Sequence, residues 1–506
     1  MEQKREQWGS RLGFVLAAIG SAIGLGNIWR FPYVAYKNGA GAFLIPYIFA
    51  LVTTGISFVA LEFVVGKKYR GSAPLCYFRI NKHMEFVGWW QFAISFVIMT
   101  YYAVILAWSL SYIGFSTTLA WGNETKDFFY NSYLQVSPGA SVTNFGGVVW
   151  QTLVPVLVIW AVTLCISYRG VRNGIEKISR IVLPCLAVLF IIFVIRAVTL
   201  PGAAVGLNTF FEPSWSQLKD PNIWMAAYAQ IFYSLSLAMG IMITYSSYLP
   251  KDSDTTNNAY ITAFSNSGFS LLSGIGIFAA LGFMSAMSGK PIQDLAAGGI
   301  GLAFIVLPQI INQLPASQIF GVIFFICLLI AGITSLISLL EVCIAAASEK
   351  FNWSRKHTVL IIGGLATLVS VAYTTHGGLY LLDVVDNYVN DFGVMLSAVF
   401  EIILILWVYK QTKPLMEEAN RFSQIRLGNY WKICLAFITP VILIIILVSS
   451  FYTNITQVYG GYPADFDAVF GWGMVIALLV FALIIPHLRW RGVKTNLKAE
   501  KEENSK

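Results

Sequence analysis

The chain has 506 residues, of which 57% are hydrophobic and 11% charged, with a mean hydropathy of +0.69 and a formal net charge of +8. That composition excludes an ordinary soluble globular domain and marks an all-α polytopic membrane protein, because a helix needs about 20 consecutive apolar residues to cross a bilayer. The positive charge does not imply a nucleic-acid partner, since the Lys and Arg residues are scattered over the short segments that join the apolar runs.

Apolar runs bounded by charge or turn clusters predict twelve transmembrane helices, near 11–36, 41–69, 86–118, 149–167, 174–197, 222–249, 257–285, 319–350, 357–374, 381–409, 429–452 and 467–491. The first has no cleavage pattern before it and reads as a resident helix. Lys4, Arg5 and Arg11 begin on one side, which then receives Lys67, Lys68, Arg70, Arg79 and Lys82, followed by Arg169, Arg172, Lys177 and Arg180. This bias predicts a multi-pass protein of the plasma membrane, or of the cell inner membrane in a bacterium, with both termini cytoplasmic. The expected organisation is a cytoplasmic segment 1–10, five helices over 11–197, an extracellular loop 198–221, five helices over 222–409, two further helices with their connecting loop over 410–491, and a cytoplasmic tail 492–506 that mixes Lys with Glu.

Two spans are interrupted. Gly20 to Pro32, GSAIGLGNIWRFP, places glycines, a serine, an asparagine and an arginine where a membrane helix should be apolar. Lipid tolerates that only if the backbone opens toward protein, water or a solute. In the sixth span, Gln230, Ser234 and Ser236 precede Gly240 inside another apolar run. Each break falls in the first helix of a five-helix set. An odd number of spans per set makes the second enter from the opposite face, so the pattern predicts a 5+5 inverted repeat with broken helices 1 and 6, an alternating-access architecture. Six cysteines and four histidines form no disulfide framework and no metal-ligand cluster by spacing. The sequon Asn123-Glu124-Thr125 falls in a predicted outer loop. No phosphate loop, nucleotide fingerprint or nucleophile constellation supports an enzyme. A channel fits less well than a carrier, because the polar residues cluster at mid-depth and do not line successive turns.

The run KREQWGSRLGFVLAAIGSAIGLGNIWRFPYVAYKNGAGAFLIPY (Lys4 to Tyr47), with PNIWMAAYAQIFYSLSLAMG, FSNSGFS, AGITS and LLDVVDNY further on, resembles the neurotransmitter:sodium symporter family over residues 4–410. Prokaryotic members mostly carry amino acids. The resemblance implies two sodium sites. One takes Ala22, Asn27, Ser234 and Asn266 with the substrate carboxylate; the other takes the Gly20, Ile23 and Ala331 carbonyls with the Thr334 and Ser335 hydroxyls. The bland alternatives are hydroxyl-to-backbone bonding at Thr334 and Ser335, and an interhelical hydrogen bond between Asn27 and Asn266.

The implied substrate pocket comprises Ser21, Ala22, Gly24, Leu25, Gly26, Ile98, Tyr102, Tyr233, Ser236, Met239, Ser335 and Leu339. Family members that carry monoamines have an aspartate where this chain has Gly24, so the glycine favours a substrate bringing its own carboxylate. The lining lacks a fixed charge, which favours a neutral, hydrophobic α-amino acid. Many prokaryotic relatives have an acid where this chain has Ser270; Tyr47, Gln230, Ser234 and Ser270 instead resemble the chloride site of animal members. The rival is that another acid, such as Glu62, balances the sodium charge, or that Ser270 only packs. The implied gates are Arg30 with Asp386 outside, and Arg5, Trp8, Tyr248 and Glu349 inside. The expectation is a sodium-coupled, chloride-dependent amino-acid symporter, monomeric or a weak homodimer in lipid. The alternative is an amino-acid sensor or non-transporting subunit on the same fold.

Overall fold

The computed structural model describes residues 6–213, 215–289, 292 and 299–491. Arg5 and the 492–506 tail lie outside the described residues. Within them, ten helices are long and apolar enough to cross a membrane: Gly41–Tyr69, Lys82–Ser116, Trp150–Tyr168, Val171–Val198, Thr255–Ser288, Ser317–Phe351, Arg355–Ala372, Gly378–Val408, Asn429–Gly461 and Ala464–His487. A bent pair, Arg11–Ala22 and Gly26–Lys37, meets at 52° and makes an eleventh if taken as one span. The expected sixth span is divided into Pro221–Ser234 and Ile241–Ser246, each too short to cross alone. Extended pairing among the described residues is limited to one antiparallel bridge, Val148 with Thr375.

Local chemistry sets the ends. Asp220 caps Pro221–Ser234 by accepting from Asn222 N, and the proline occupies a first-turn position where its missing N–H costs nothing. Asp254 caps Thr255–Ser288 through Asn257 N at 2.9 Å. Within the expected loop 198–221, the helix Ala203–Phe211 packs on Thr255–Ser288, with Gly206 and Gly282 allowing the two backbones to approach.

The spans divide into an inner and an outer set. The most apolar stretches of Gly41–Tyr69 and Lys82–Ser116 are 83% buried, whereas those of Trp150–Tyr168 and Ala464–His487 are 39% and 22% buried. The outer set turns residues such as Val154, Leu157, Leu479 and Leu483 outward, the surface that hydrocarbon chains cover. Both breaks therefore lie in the protein interior, where irregular backbone can find partners.

Candidate functional site

The first span opens at Ile23, which leaves the helix with φ −73° and ψ 103°. A turn follows, in which Gly24 N donates to Asn27 Oδ1 at 2.9 Å and Asn27 N to the Gly24 carbonyl at 3.2 Å. Leu25 N donates to the Tyr102 hydroxyl at 3.2 Å. Close approach explains the glycines. A Cβ on Gly24 would stand 2.9 Å from Ser335 Oγ and 3.0 Å from the Tyr102 hydroxyl, and one on Gly26 would stand 2.7 Å from the Tyr233 ring.

The sixth span opens more widely. Ser236, Ala238 and Gly240 have φ of 53°, 57° and 76°, so a right-handed helix cannot run through them. Left-handed backbone at the two non-glycine residues costs about 1–3 kcal/mol each and persists only when surroundings enforce it. Neighbouring spans do so. Ala238 N donates to Glu62 Oε1 at 3.1 Å, Ser397 Oγ to the Ala238 carbonyl at 3.0 Å, and Ser95 Oγ to the Met239 carbonyl at 2.8 Å. Ser236 Oγ reaches back to the Ser21 carbonyl at 3.3 Å, joining the two breaks.

Oxygen atoms converge beside the breaks in two places. One end of the Asn266 amide lies 2.8 Å from Asn27 Nδ2, 3.1 Å from the Ala22 carbonyl and 3.2 Å from the Ser234 carbonyl. Asn27 Nδ2 also reaches Ser270 Oγ at 2.8 Å. In the second place, Thr334 Oγ1 donates to the Gly20 carbonyl at 2.6 Å and to the Ala331 carbonyl at 3.0 Å, while Ser335 Oγ donates to the Ser21 carbonyl at 3.1 Å. Ile23 stands at the opening beside them, its N–H bonded to the Ile19 carbonyl at 2.7 Å. Neutral carbonyl, amide and hydroxyl oxygens are donors suited to a hard monovalent cation.

The remaining expected groups fall around this centre. Ile98, Met239 and Leu339 are buried, Tyr233 and Ser236 half-buried. Tyr47, Ser234 and Ser270 come together, and Tyr47 also donates to Ser267 Oγ at 3.2 Å. Gln230 is buried with neither amide atom hydrogen-bonded. A cavity of about 1060 Å³ runs from Tyr102, Tyr233 and Gln230 past Arg30 and Asp386 to the exposed residues Asn131 and Pro138. Arg30 and Asp386 do not form an ion pair within 4.0 Å across it. The guanidinium stacks 4.0 Å from the Tyr233 ring centre, and Asp386 accepts from the Tyr101 hydroxyl at 2.6 Å and from Asn390 Nδ2 at 2.9 Å.

At the opposite end the route is sealed. Trp8 is 5% exposed, donates from Nε1 to the Tyr245 carbonyl at 2.8 Å, and meets the Phe14, Tyr245 and Tyr248 rings edge-on. The Tyr248 hydroxyl donates to Glu341 at 2.8 Å, and Arg355 grips the same carboxylate with two bonds of 2.9 and 2.6 Å. Arg355 also faces Glu6 at 3.7 Å. The expected acid Glu349 accepts from Ser72 N and Oγ at 2.9 and 2.6 Å; its expected partner Arg5 is outside the described residues. Glu341, Arg355, Ser95, Ser267 and Ser397 were not among the expected site residues. Their one sequence signal is a polar group inside a long apolar helix, or a basic group at its end.

The sequence profile described as the sodium:neurotransmitter symporter family matches residues 5–126 and 122–491. An uncharacterized sodium-dependent transporter of Methanocaldococcus jannaschii is 41% identical over 96% of this chain and 98% of its own. A sodium-dependent dopamine transporter of Caenorhabditis elegans is 30% identical over 94% of this chain and 85% of its own, and a sodium- and chloride-dependent taurine transporter of Rattus norvegicus 29% identical over 94% and 83%. With bent first and divided sixth spans, oxygen-lined breaks and near full-length similarity, the chain belongs to the sodium:neurotransmitter symporter family, whose members transport by sodium-coupled symport and are not enzymes.

Proposed function

We propose that the protein imports a neutral, hydrophobic α-amino acid together with sodium, through twelve spans arranged as a 5+5 inverted repeat and two more, with both termini cytoplasmic. The observation that carries this reading is the convergence of backbone and side-chain oxygens on the opened first span beside Gly24 and Tyr102. One sodium binds among the Ala22 and Ser234 carbonyls, Asn27 and Asn266. An amide can present either end, nitrogen to carbonyls alone and oxygen to a cation held among them. The other sodium binds among Gly20, Ile23, Ala331, Thr334 and Ser335, whose hydroxyl hydrogens turn away from the cation. The substrate carboxylate lies against the opened backbone beside Gly24, where no side chain competes for it, held by the Tyr102 hydroxyl and the Leu25 and Gly26 N–H groups at the start of the outer half-helix. Its side chain lies among Ile98, Met239 and Leu339. Sharing an oxygen between substrate and the first sodium makes each tighten the other by the same factor.

Chloride belongs to the same proposal. The groups around Ser270 are neutral, and two sodium ions in a dry interior need a negative charge nearby. The buried Gln230 amide, without a partner, and the Tyr47, Ser234 and Ser270 hydroxyls supply donors to an anion. Two relatives named sodium- and chloride-dependent, the rat taurine transporter and a glycine transporter of Xenopus laevis, support this reading.

The test is sodium-dependent binding of the twenty amino acids to purified protein, repeated with chloride replaced by gluconate. Neutral apolar amino acids should bind, binding should fall at least tenfold in gluconate, and Ser270→Glu should remove most of that difference. Unchanged affinity in gluconate would reject the anion; preference for a charged side chain would reject the pocket.

A further inference from the structure

Two carboxylates stand apart from the pocket, vestibule and seal. Glu62 on the second span and Glu401 on the tenth are both 0% exposed. One oxygen of each is engaged: Glu62 Oε1 accepts from Ala238 N at 3.1 Å, and Glu401 Oε2 from Gln91 Nε2 at 2.9 Å. Glu62 Oε2, Glu401 Oε1 and Gln91 Oε1 are buried without a hydrogen-bond partner. All three are acceptors. A cluster of orphaned acceptors with no orphaned donor lacks hydrogen, and leaving such atoms unsatisfied in the interior is costly.

The neighbourhood supplies no counter-charge. Both carboxylates converge on the opened sixth span, Glu62 through Ala238 N and Glu401 through Gln91, whose Oε1 would lie 3.2 Å from a Cβ on Gly240. Among the described residues no Lys, Arg or His lies within 4.0 Å of either carboxylate; the nearby cations are committed elsewhere, Lys67 to Glu418 at 3.3 Å and Lys350 to Glu85 at 2.6 Å. Of the titratable groups on the elements packed here, Tyr77 faces the pair directly: its hydroxyl accepts from Gln91 Nε2 at 2.9 Å and is hydrogen-bonded to Glu401, while Glu401 Oε1 and Glu62 Oε2 remain without a partner. The Tyr245 hydroxyl bonds to Ser338, Cys76 Sγ to the Gly71 carbonyl, and Cys343 Sγ to the Phe92 carbonyl. Two like charges without a cation cannot both persist in a dry site, and such a pair shares one proton.

We propose that Glu62 and Glu401 hold one proton between them, forming a proton-binding site on the opened backbone of the sixth span. The proton supplies the missing donor and leaves a single negative charge on the pair. The binding step is a carboxylate taking a proton from water, with no other bond changed. Each glutamate lies seven residues before its helix end, at Tyr69 and Val408, a distance of roughly 10 Å along the axis. Those ends lie on the same side as Trp8, because Arg70 reaches the Leu249 carbonyl next to Tyr248, whose carbonyl accepts from Trp8 N, and Tyr69 reaches Gln411 just past Val408; the site therefore exchanges protons with that side. Its occupancy is linked to the position of Ala238, because Glu62 holds that N–H. Exchange during turnover rests on the transport reading; proton binding does not.

Infrared difference spectra of the whole purified protein in lipid, recorded from neutral to alkaline pH, test this without any transport. The wild type should show near pH 7 a carboxylic-acid carbonyl band that shifts in D2O and disappears at alkaline pH. In Glu401→Gln the new amide N–H supplies the missing donor, so Glu62 stays ionised and the band is lost; Glu62→Gln should lose it independently. No such band in the wild type, or one that persists in both variants, overturns the proposal. Uptake by the same vesicles is scored separately: uptake without the band defeats the proton site alone, and the band without uptake defeats the transport reading alone.

Discussion

The two ends of the central route are built from different contacts. Toward Arg30 and Asp386 the protein is a wide vestibule whose charged groups rest on aromatic neighbours, a guanidinium on Tyr233 and a carboxylate on Tyr101. Toward Trp8 it is closed by an indole packed on three rings and by a fully buried Glu341 gripped by Arg355 and Tyr248. Turnover therefore has to exchange unequal bonds at the two ends. At the vestibule, Arg30 and Asp386 need only leave the rings they rest on; at the seal, an ion pair with a fully buried carboxylate and an aromatic cluster have to separate together. The arrangement is open at the Arg30 end and held shut at the Trp8 end.

Breaking the inner ion pair should have the largest effect. Removing one partner of a buried pair costs about 3–5 kcal/mol, so Arg355→Ala should shift the balance toward inward opening by roughly a hundredfold or more. The readout is labelling, by an impermeant reagent from the Trp8 side, of a cysteine placed at Ser338 beneath the seal; unchanged labelling would mean that Glu341 and Arg355 do not hold it shut. Trp8→Ala removes edge-on aromatic contacts worth about 0.5–1.5 kcal/mol each and one hydrogen bond. Even at the low end these sum to about 2 kcal/mol, so the same labelling should rise by roughly thirtyfold. Asp386→Asn should do least. It keeps an acceptor for the Tyr101 hydroxyl but removes the charge that draws in Arg30, so uptake should fall by about tenfold while sodium-dependent binding holds. An equal fall in binding would place Asp386 in the pocket and not in the gate.

The breaks were legible because polar residues and glycines are costly in a membrane run unless the backbone opens there. Gly24, Asn27, Thr334 and Ser335 do come together, and the sixth span opens between Ser234 and Gly240 as its composition suggested. The inner seal was less legible. Glu341 reads as one of two acids in a 35-residue helix, of which the resemblance pointed to the other, Glu349, and Arg355 reads as one more inside-positive charge; Glu341 and Arg355 become partners only when two long helices pack. The cradle around Ala238 was hidden for another reason. A serine in an apolar helix usually bonds its own preceding turn, as Ser109 does to the Ile105 carbonyl, and nothing local distinguishes Ser95, which instead holds Met239 across the core. Arrangement in space, set by helix packing, carries that information.

The central claim is that these contacts serve movement of a solute driven by sodium. The direct measurement is uptake of radiolabelled neutral amino acid by proteoliposomes under an inward sodium gradient with chloride present. Accumulation above the outside concentration, abolished when the gradient is collapsed, is the predicted result. Sodium-dependent binding with no accumulation would contradict it and leave a binding protein built on a transporter's frame.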